Sequence, residues 1–397
     1  MKKIYLDNAA TTPVDKKVLS EMNKYWSIDF ANPSSIHSMG VTTKVALQKS
    51  RKAIADLIGG HDREIIFTSG GTEANNLAIF GLINSLRKEG RKYSDIHLIT
   101  TEIEHSSIYE CFKEIESRGG KIDYLKVNEF GLINPNDLRE IIKPETVFVS
   151  IGYANSEIGV IQPVKEIIKE IRHARKGLGK ERIKTPYLHI DASQAGLYLN
   201  MNIEELGVDF MTLDAQKMYG PKGVGALYVR DGIKIEPMMY GGGQENNRRS
   251  GTENIPLIVG FSKAFEIARK NIKKESARLI KIRDYFFNEI KKNIPNAIIN
   301  GHLQNRLPSN INISVPGQDG EMLVFRLDEA GIICSSSSAC ASGSGESVIV
   351  RKLAEKESSN KGKINDRAKS TLRFSMGKNT NINDIKYVMK QLSKICK

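Results

Sequence analysis

Short apolar runs alternate with longer stretches of three-to-four periodicity over residues 15–250. The runs Ile65-Ile-Phe67, His97-Leu-Ile-Thr100, Val147-Phe-Val-Ser150, Tyr187-Leu-His-Ile190 and Ala226-Leu-Tyr-Val229 are rich in β-branched and aromatic residues and read as strands. Between them, Ser106–Ser117 and Val164–Ala174 carry helical patterns. Strands alternating with helices predict an α/β unit on a mostly parallel sheet. Leu257, Phe261, Ala264, Phe265, Ala268 and Ile272 then form one apolar stripe, predicting a helix from about Leu257 to Asn293 that can bridge two domains. Beyond it come strand-like Asn310–Val315, a helix around 320–330, a serine-rich loop and Ser370–Ser375, a small α+β pattern. The polar stretches Glu355–Lys369 and Lys176–Thr185 read as exposed loops.

With 397 residues the chain has room for about two to three domains. An apolar content of 40% and a charged fraction of 26% fit a soluble globular protein. No apolar run approaches the ~20 residues that span a bilayer. Met-Lys-Lys-Ile-Tyr-Leu-Asp7 carries neither an apolar signal core nor an Arg-rich leader, so a cytoplasmic location is expected. The net charge of +13 is spread over scattered lysines, as in 268–292, without an aromatic-interleaved stripe. It therefore reads as a solvated surface rather than a nucleic-acid site, and it favours acidic partners or anionic ligands. Cys111, Cys334, Cys340 and Cys396 form no Cys-x-x-Cys motif, and the histidines show no ligand spacing, so no metal and no disulfide framework are expected.

Candidate chemistry collects at strand ends. Thr68-Ser-Gly-Gly-Thr-Glu-Ala-Asn-Asn76 leaves a strand and opens a helix. Gly70 and Gly71 allow close approach and Thr72 offers a hydroxyl, so the segment suits either an anion or a plain helix N-cap. His105 follows a strand and can stack on a ring and move protons, or be structural. Asp191, in Ile190-Asp-Ala-Ser-Gln194, is either a strand-end Asx turn or an acid for a ring nitrogen, with Gln194 as a further donor. Lys217 lies in the turn that ends Asp209-Phe-Met-Thr-Leu-Asp-Ala-Gln-Lys217, before Met-Tyr-Gly-Pro-Lys-Gly. An acid at one strand end and a lysine in a following turn are the pair that a pyridoxal phosphate enzyme needs, the lysine for the aldehyde and the acid for the pyridine nitrogen.

Gly241-Gly-Gly243 and Arg249-Ser-Gly-Thr252 add a second glycine-rich, anion-friendly segment. Cys340, in Ser335-Ser-Ser-Ser-Ala-Cys-Ala-Ser-Gly-Ser-Gly345, sits among residues too small and polar to build a core, which suits an accessible nucleophile. Cys334 reads instead as the end of a buried strand, and Cys111 and Cys396 as inert. Arg373 in Leu372-Arg-Phe-Ser375 suits a carboxylate or a surface ion pair.

Taken in order, these segments resemble the cysteine desulfurases of the NifS/IscS type. The resemblance runs from Tyr5-Leu-Asp-Asn-Ala-Ala-Thr-Thr-Pro13 through Asn32-Pro-Ser-Ser-Ile-His37, Glu157-Ile-Gly159 and the segments above to Arg373-Phe-Ser-Met-Gly377. It implies a homodimeric fold-type I pyridoxal phosphate transferase, with a mostly parallel seven-stranded sheet in a large domain (15–260) and a small α+β domain (1–14 and 261–397). It implies conversion of L-cysteine to L-alanine with a persulfide left on Cys340, passed to an iron–sulfur scaffold or a tRNA-thiolation acceptor. Neither membrane nor direct nucleic-acid binding is implied. By the same likeness Lys217 bonds the cofactor, His105 stacks and moves protons, and Asp191 pairs with the ring nitrogen. Gln194 meets the phenolic oxygen, while Gly71, Thr72, Gln216 and the partner's copy of Thr252 serve the phosphate. Arg373, with Asn32 and Asn155, holds the substrate.

Three positions depart from that pattern. Ser156 stands where the family usually has Asn, Asp214 where it has Ser or Thr, and Gln216 where it has His. A carboxylate beside a phosphate is repulsive unless it turns away or is protonated, so weaker cofactor binding is expected. A selenocysteine lyase, another pyridoxal phosphate lyase or aminotransferase, and a non-catalytic interaction protein are the competing readings.

Overall fold

The computed structural model describes residues 3–177, 185–336 and 345–396. The strands are β1 (Ile4–Tyr5), β2 (Ile65–Thr68), β3 (His97–Thr101), β4 (Lys121–Leu125), β5 (Thr146–Gly152), β6 (Tyr187–Asp191), β7 (Phe210–Asp214), β8 (Gly225–Val229), β9 (Ile298–Ile299), β10 (Asn310–Ser314), β11 (Ile332–Ile333) and β12 (Thr371–Ser375). A seven-stranded sheet has the order β2-β8-β7-β6-β5-β3-β4. Within it β8 runs antiparallel to both neighbours, and the pairs from β7 to β4 are parallel.

Both faces of this sheet are covered, which is why its strands read as continuous apolar runs. Successive side chains enter opposite cores. Ile65 and Phe67, Ile99, Val149 and Met211 join one face, with Leu47, Ile54 and Ile58 of the Ser38–Ile58 helix. Ile66, Leu98, Phe148 and Phe210 join the other, with Leu77, Leu82 and Phe112 from the Gly71–Lys88 and Ser106–Ser117 helices.

A third core lies around the sheet β12-β10-β9. The helix Ile255–Asn293 serves two cores: Phe261 and Phe265 pack against the large sheet, while Leu279, Phe286 and Ile290 pack with Ile311, Ile313, Leu372 and Phe374. Ile4 and Leu6 return to this third core, where β1 pairs parallel with β11.

Two stretches differ from the sequence expectation. Glu355–Lys369 is not a loop: it holds the end of one helix (Val348–Glu357) and all of another (Lys361–Lys369). Ser347 and Asn360 cap them through Val350 N–H and Lys363 N–H. Few apolar residues are needed, since Leu353, Ala354, Ile364 and Ala368 supply the buried face. The edge strand β4 carries only a half-buried alternation, Lys-Ile-Asp-Tyr-Leu, and offers no apolar run to notice. Of Lys176–Thr185, residues 178–184 lie outside the described residues, as do 337–344 with Cys340. Among the described residues no helix is long and apolar enough to cross a membrane.

Candidate functional site

The candidate residues follow the carboxyl ends of neighbouring strands, where open α/β sheets bind ligands. β2 leads to Gly71, β3 to His105, β5 to Asn155 and Ser156, β6 ends at Asp191 and β7 leads to Lys217. Topology alone therefore gathers segments scattered over some 150 positions of the chain.

Asp191 is held from two sides. Its Oδ1 accepts from Ser193 N–H at 2.9 Å and its Oδ2 from Asn75 Nδ2 at 2.9 Å. Asn75 also donates to Ser107 Oγ at 2.8 Å, and Ser107 Oγ meets His105 Nδ1 at 2.8 Å. The backbone N–H of Ser107 donates to the same Nδ1 at 3.2 Å. Nδ1 is therefore an acceptor, and the neutral ring carries its proton on Nε2. Asn75 and Ser107 couple acid to imidazole, a link between distant helices that no local motif announces.

Lys217 closes a short turn after β7. Its Nζ donates to the carbonyls of Ala9 (2.9 Å) and Ala10 (2.6 Å), and Gln194 Nε2 donates to Ala9 O at 3.0 Å. Thr12 fastens the same turn, donating from Oγ1 to Gln216 O at 2.7 Å and accepting from Tyr219 N–H at 2.8 Å. The N-terminal segment thus lies across the site, a role its sequence does not reveal.

Arg373 is fully buried on β12. Its Nη2 donates to Asp7 Oδ1 at 2.7 Å and its Nη1 to Ser156 O at 3.3 Å, while Nε is a buried donor without an acceptor among the described residues. An unmet buried donor is costly unless an oxygen ligand completes it. Asn155 points elsewhere: its Oδ1 accepts from Glu157 and Ile158 N–H and its Nδ2 donates to Ile103 O, so its amide shapes its own turn. Asn32 is exposed, with Oδ1 accepting from Ser34 N–H, and Thr72 and Thr252 are exposed as well. Within one protomer these three are not drawn into the network.

Two groups beneath the strand ends, the half-buried Glu104 and the fully buried His189, have displaced protonation. Burial pushes the Glu104 carboxyl up to about 7; hydrogen bonds from Thr101 Oγ1 and Gly152 N–H oppose this, and the Asp191 charge adds to it. Burial likewise pushes His189 down to about 4, against the attraction of Asp191. A carboxyl whose pKa rises on folding adds stability below its unfolded pKa and loses it as pH climbs to the folded value. Glu104→Gln should therefore flatten the fall in thermal midpoint between about pH 4.5 and about pH 7. At about pH 8 it should raise stability by up to roughly 3 kcal/mol. Parallel wild-type and variant melting profiles would show that Glu104 does not titrate this way.

The described cysteines are poor nucleophiles. Burial pushes Cys111 and Cys334 up to about 12 and Cys396 up to about 11, so each is a thiol at neutral pH.

The site suits pyridoxal phosphate at the ring and amine, with an acid, an imidazole, an amide and a lysine converging. At the helix N-terminus Gly70 has φ 152° and ψ −178°, a region open to glycine, and a Cβ there would meet nothing within 4 Å. A Cβ on Gly71 would lie 2.9 Å from Ser193 Oγ and 3.3 Å from Asp214 Oδ2. The backbone there can reach a phosphate, and a carboxylate stands beside it.

Residues 4–388 match the aminotransferase class-V family. The chain is 41% identical to a cysteine desulfurase IscS from Dictyoglomus turgidum, over 99% of this chain and 94% of that one. A solved NifS-like protein superposes with a TM-score of 0.88 at 31% identity, covering 99% of each chain. A structure described as SspA in complex with cysteine superposes at 0.78 with 31% identity, over 94% of this chain and 99% of that one.

Proposed function

The chain belongs to the aminotransferase class-V family, as a pyridoxal-phosphate-dependent cysteine desulfurase, and we propose that Lys217, His105, Asp191 and Arg373 process L-cysteine while Cys340 receives its sulfur. The observation that carries this reading is the convergence of Lys217, Gln194 and the Asp191–Asn75–Ser107–His105 network. Bound pyridoxal phosphate supplies an aldehyde for amines and a protonated ring that draws electrons from the substrate α-carbon.

Each side chain then has a task. Asp191, fixed by Ser193 and Asn75, keeps a proton at the ring nitrogen. Gln194 turns from Ala9 O to the phenolic oxygen. Lys217 Nζ, freed from its carbonyl acceptors, takes the α-proton of cysteine. His105 offers its Nε2 proton, since Nδ1 is engaged by Ser107. Arg373 receives the substrate carboxylate on Nε, with Asp7 and Ser156 O holding the rest of the guanidinium. The Cys340 thiolate attacks the substrate sulfur: the carbon–sulfur bond breaks, a sulfur–sulfur bond forms, and the α- and β-carbons recover protons to give alanine.

The described chain leads toward the Cys340 segment from beside Arg373. Ser335, five residues before Cys340, is paired with Arg373 through two backbone hydrogen bonds (3.1 and 2.6 Å). Mass spectrometry of the Cys340 peptide after incubation with L-cysteine should find one added sulfur; an unmodified peptide beside a sulfur-bearing one elsewhere would reassign the acceptor.

The working unit is a homodimer in the cytoplasm. Trp26, Ile28, Phe30, Ile36 and Tyr240 are large, exposed apolar side chains, Ile36 at 99%, and a second copy is the simplest cover for them. Asn32 and Thr252 lie in or near the same segments, where a partner would bring them to a site. The persulfide passes to a thiol of iron–sulfur assembly or tRNA thiolation, and the net charge of +13 favours an acidic acceptor.

A further inference from the structure

The N-terminus of the Gly71–Lys88 helix already has a carboxyl of the chain beside it. Asp214, the last residue of β7, sets its carboxyl against the start of that helix: a Cβ on Gly71 would lie 3.3 Å from its Oδ2. Its donors come from Gln216: the backbone N–H reaches Oδ1 and Nε2 reaches Oδ2, each at 3.2 Å. The side chain is only 6% exposed. Gln216 thus steadies the carboxyl group, and Asp214 stands beside the helix N-terminus where a phosphate would bind.

The charged groups around it are few. Lys217 stands on its own turn. On packed elements there are Asp191, at the end of β6, and Glu73 on the first helical turn, which is paired with Arg249 at 2.9 Å. Burial raises the Asp214 carboxyl above the ordinary carboxylate range, and the Lys217 charge only partly opposes it.

Two anions brought to one buried set of donors do not both keep full charge, and a proton between them turns repulsion into a hydrogen bond. Resting on the pyridoxal phosphate assignment above, we propose that the cofactor phosphate binds against Asp214 as an acid–phosphate pair sharing one proton. Loading the cofactor then takes that proton from solvent, and losing it loosens the cofactor. Whether carboxyl or phosphate oxygen bears the proton does not change the count. The sign follows from linkage: the complex binds a proton that the free carboxylate lacks, so affinity falls as pH rises, by up to about tenfold per pH unit, and levels off below the free carboxyl's pKa. The phosphate's own ionisation near about pH 6 adds a slope common to wild type and variants.

Apoenzyme of wild type, Asp214→Asn and Asp214→Ser is titrated with pyridoxal phosphate from about pH 6 to about pH 9, following cofactor absorbance. Calorimetry at about pH 8 in two buffers of different ionisation heat counts protons. Wild type should take up about one proton more than either variant, bind more weakly at high pH, and lose affinity more steeply as pH rises. Asp214→Ser guards against an Asn variant that fails to fold. Equal proton counts and parallel profiles would overturn the shared proton while leaving the cofactor assignment intact. A wild type that binds no pyridoxal phosphate at any pH would overturn both.

Discussion

Lys217→Ala should lower alanine production from L-cysteine by about 10³-fold or more, because one substitution removes both the amine that bonds the cofactor and the base for the α-proton. Borohydride treatment gives a second readout. In wild type it should fix the cofactor covalently to the peptide containing Lys217, and in the variant the cofactor should wash out. The substitution should do little to the fold, since the Lys217 turn is also held by Thr12 through Gln216 O and Tyr219 N–H. A variant that keeps wild-type turnover, or a cofactor fixed to another lysine, would move the chemistry away from this turn.

Arg373→Lys carries the second large effect. A lysine at this buried position can still pair with Asp7, so the carboxylate there is not stranded. It cannot also hold Ser156 O and present a third, fixed N–H to a substrate carboxylate. The kcat/KM for L-cysteine should fall by about 10²-fold, mostly through KM, from the loss of a buried charge-assisted contact. Cysteamine, which lacks the carboxylate, is the control: wild type should discriminate strongly against it, and the variant should not. Unchanged preference for cysteine over cysteamine would mean that the unmet Nε of Arg373 faces something other than substrate.

Much of this was legible along the chain because it is local. The strands of the large sheet announce themselves as apolar runs, since both faces are buried and no polar side is left to interrupt them. The strand-to-turn passage into Lys217 and the glycines ahead of Thr72 are likewise short-range signals. What stayed hidden depends on contacts between distant segments. Asn75 and Ser107 look like ordinary helical polar residues until the sheet sets their helices side by side. Asp7 acquires a role only where β12 brings Arg373 to it. Asn155 belonged to the right loop, but its amide is spent on its own turn, which a motif cannot distinguish from a ligand contact. The helices Val348–Glu357 and Lys361–Lys369 were masked by a polar composition that suits both a loop and a helix with one narrow buried face.

The departure at Asp214 connects these levels. A single residue read as unfavourable for a phosphate stands, in the fold, beside the helix end that would receive it. Gln216 is both its sequence neighbour and its hydrogen-bond partner, so the two substitutions form one local unit. Exchanging one without the other should disturb cofactor binding more than exchanging both, as expected for residues in contact.

The most direct measurement is L-alanine formed from L-cysteine by wild type and Cys340→Ala, with pyridoxal phosphate and a reductant supplied to both. Alanine from wild type and its loss in the variant is the expected result. Equal alanine from both would contradict Cys340 as the sulfur acceptor.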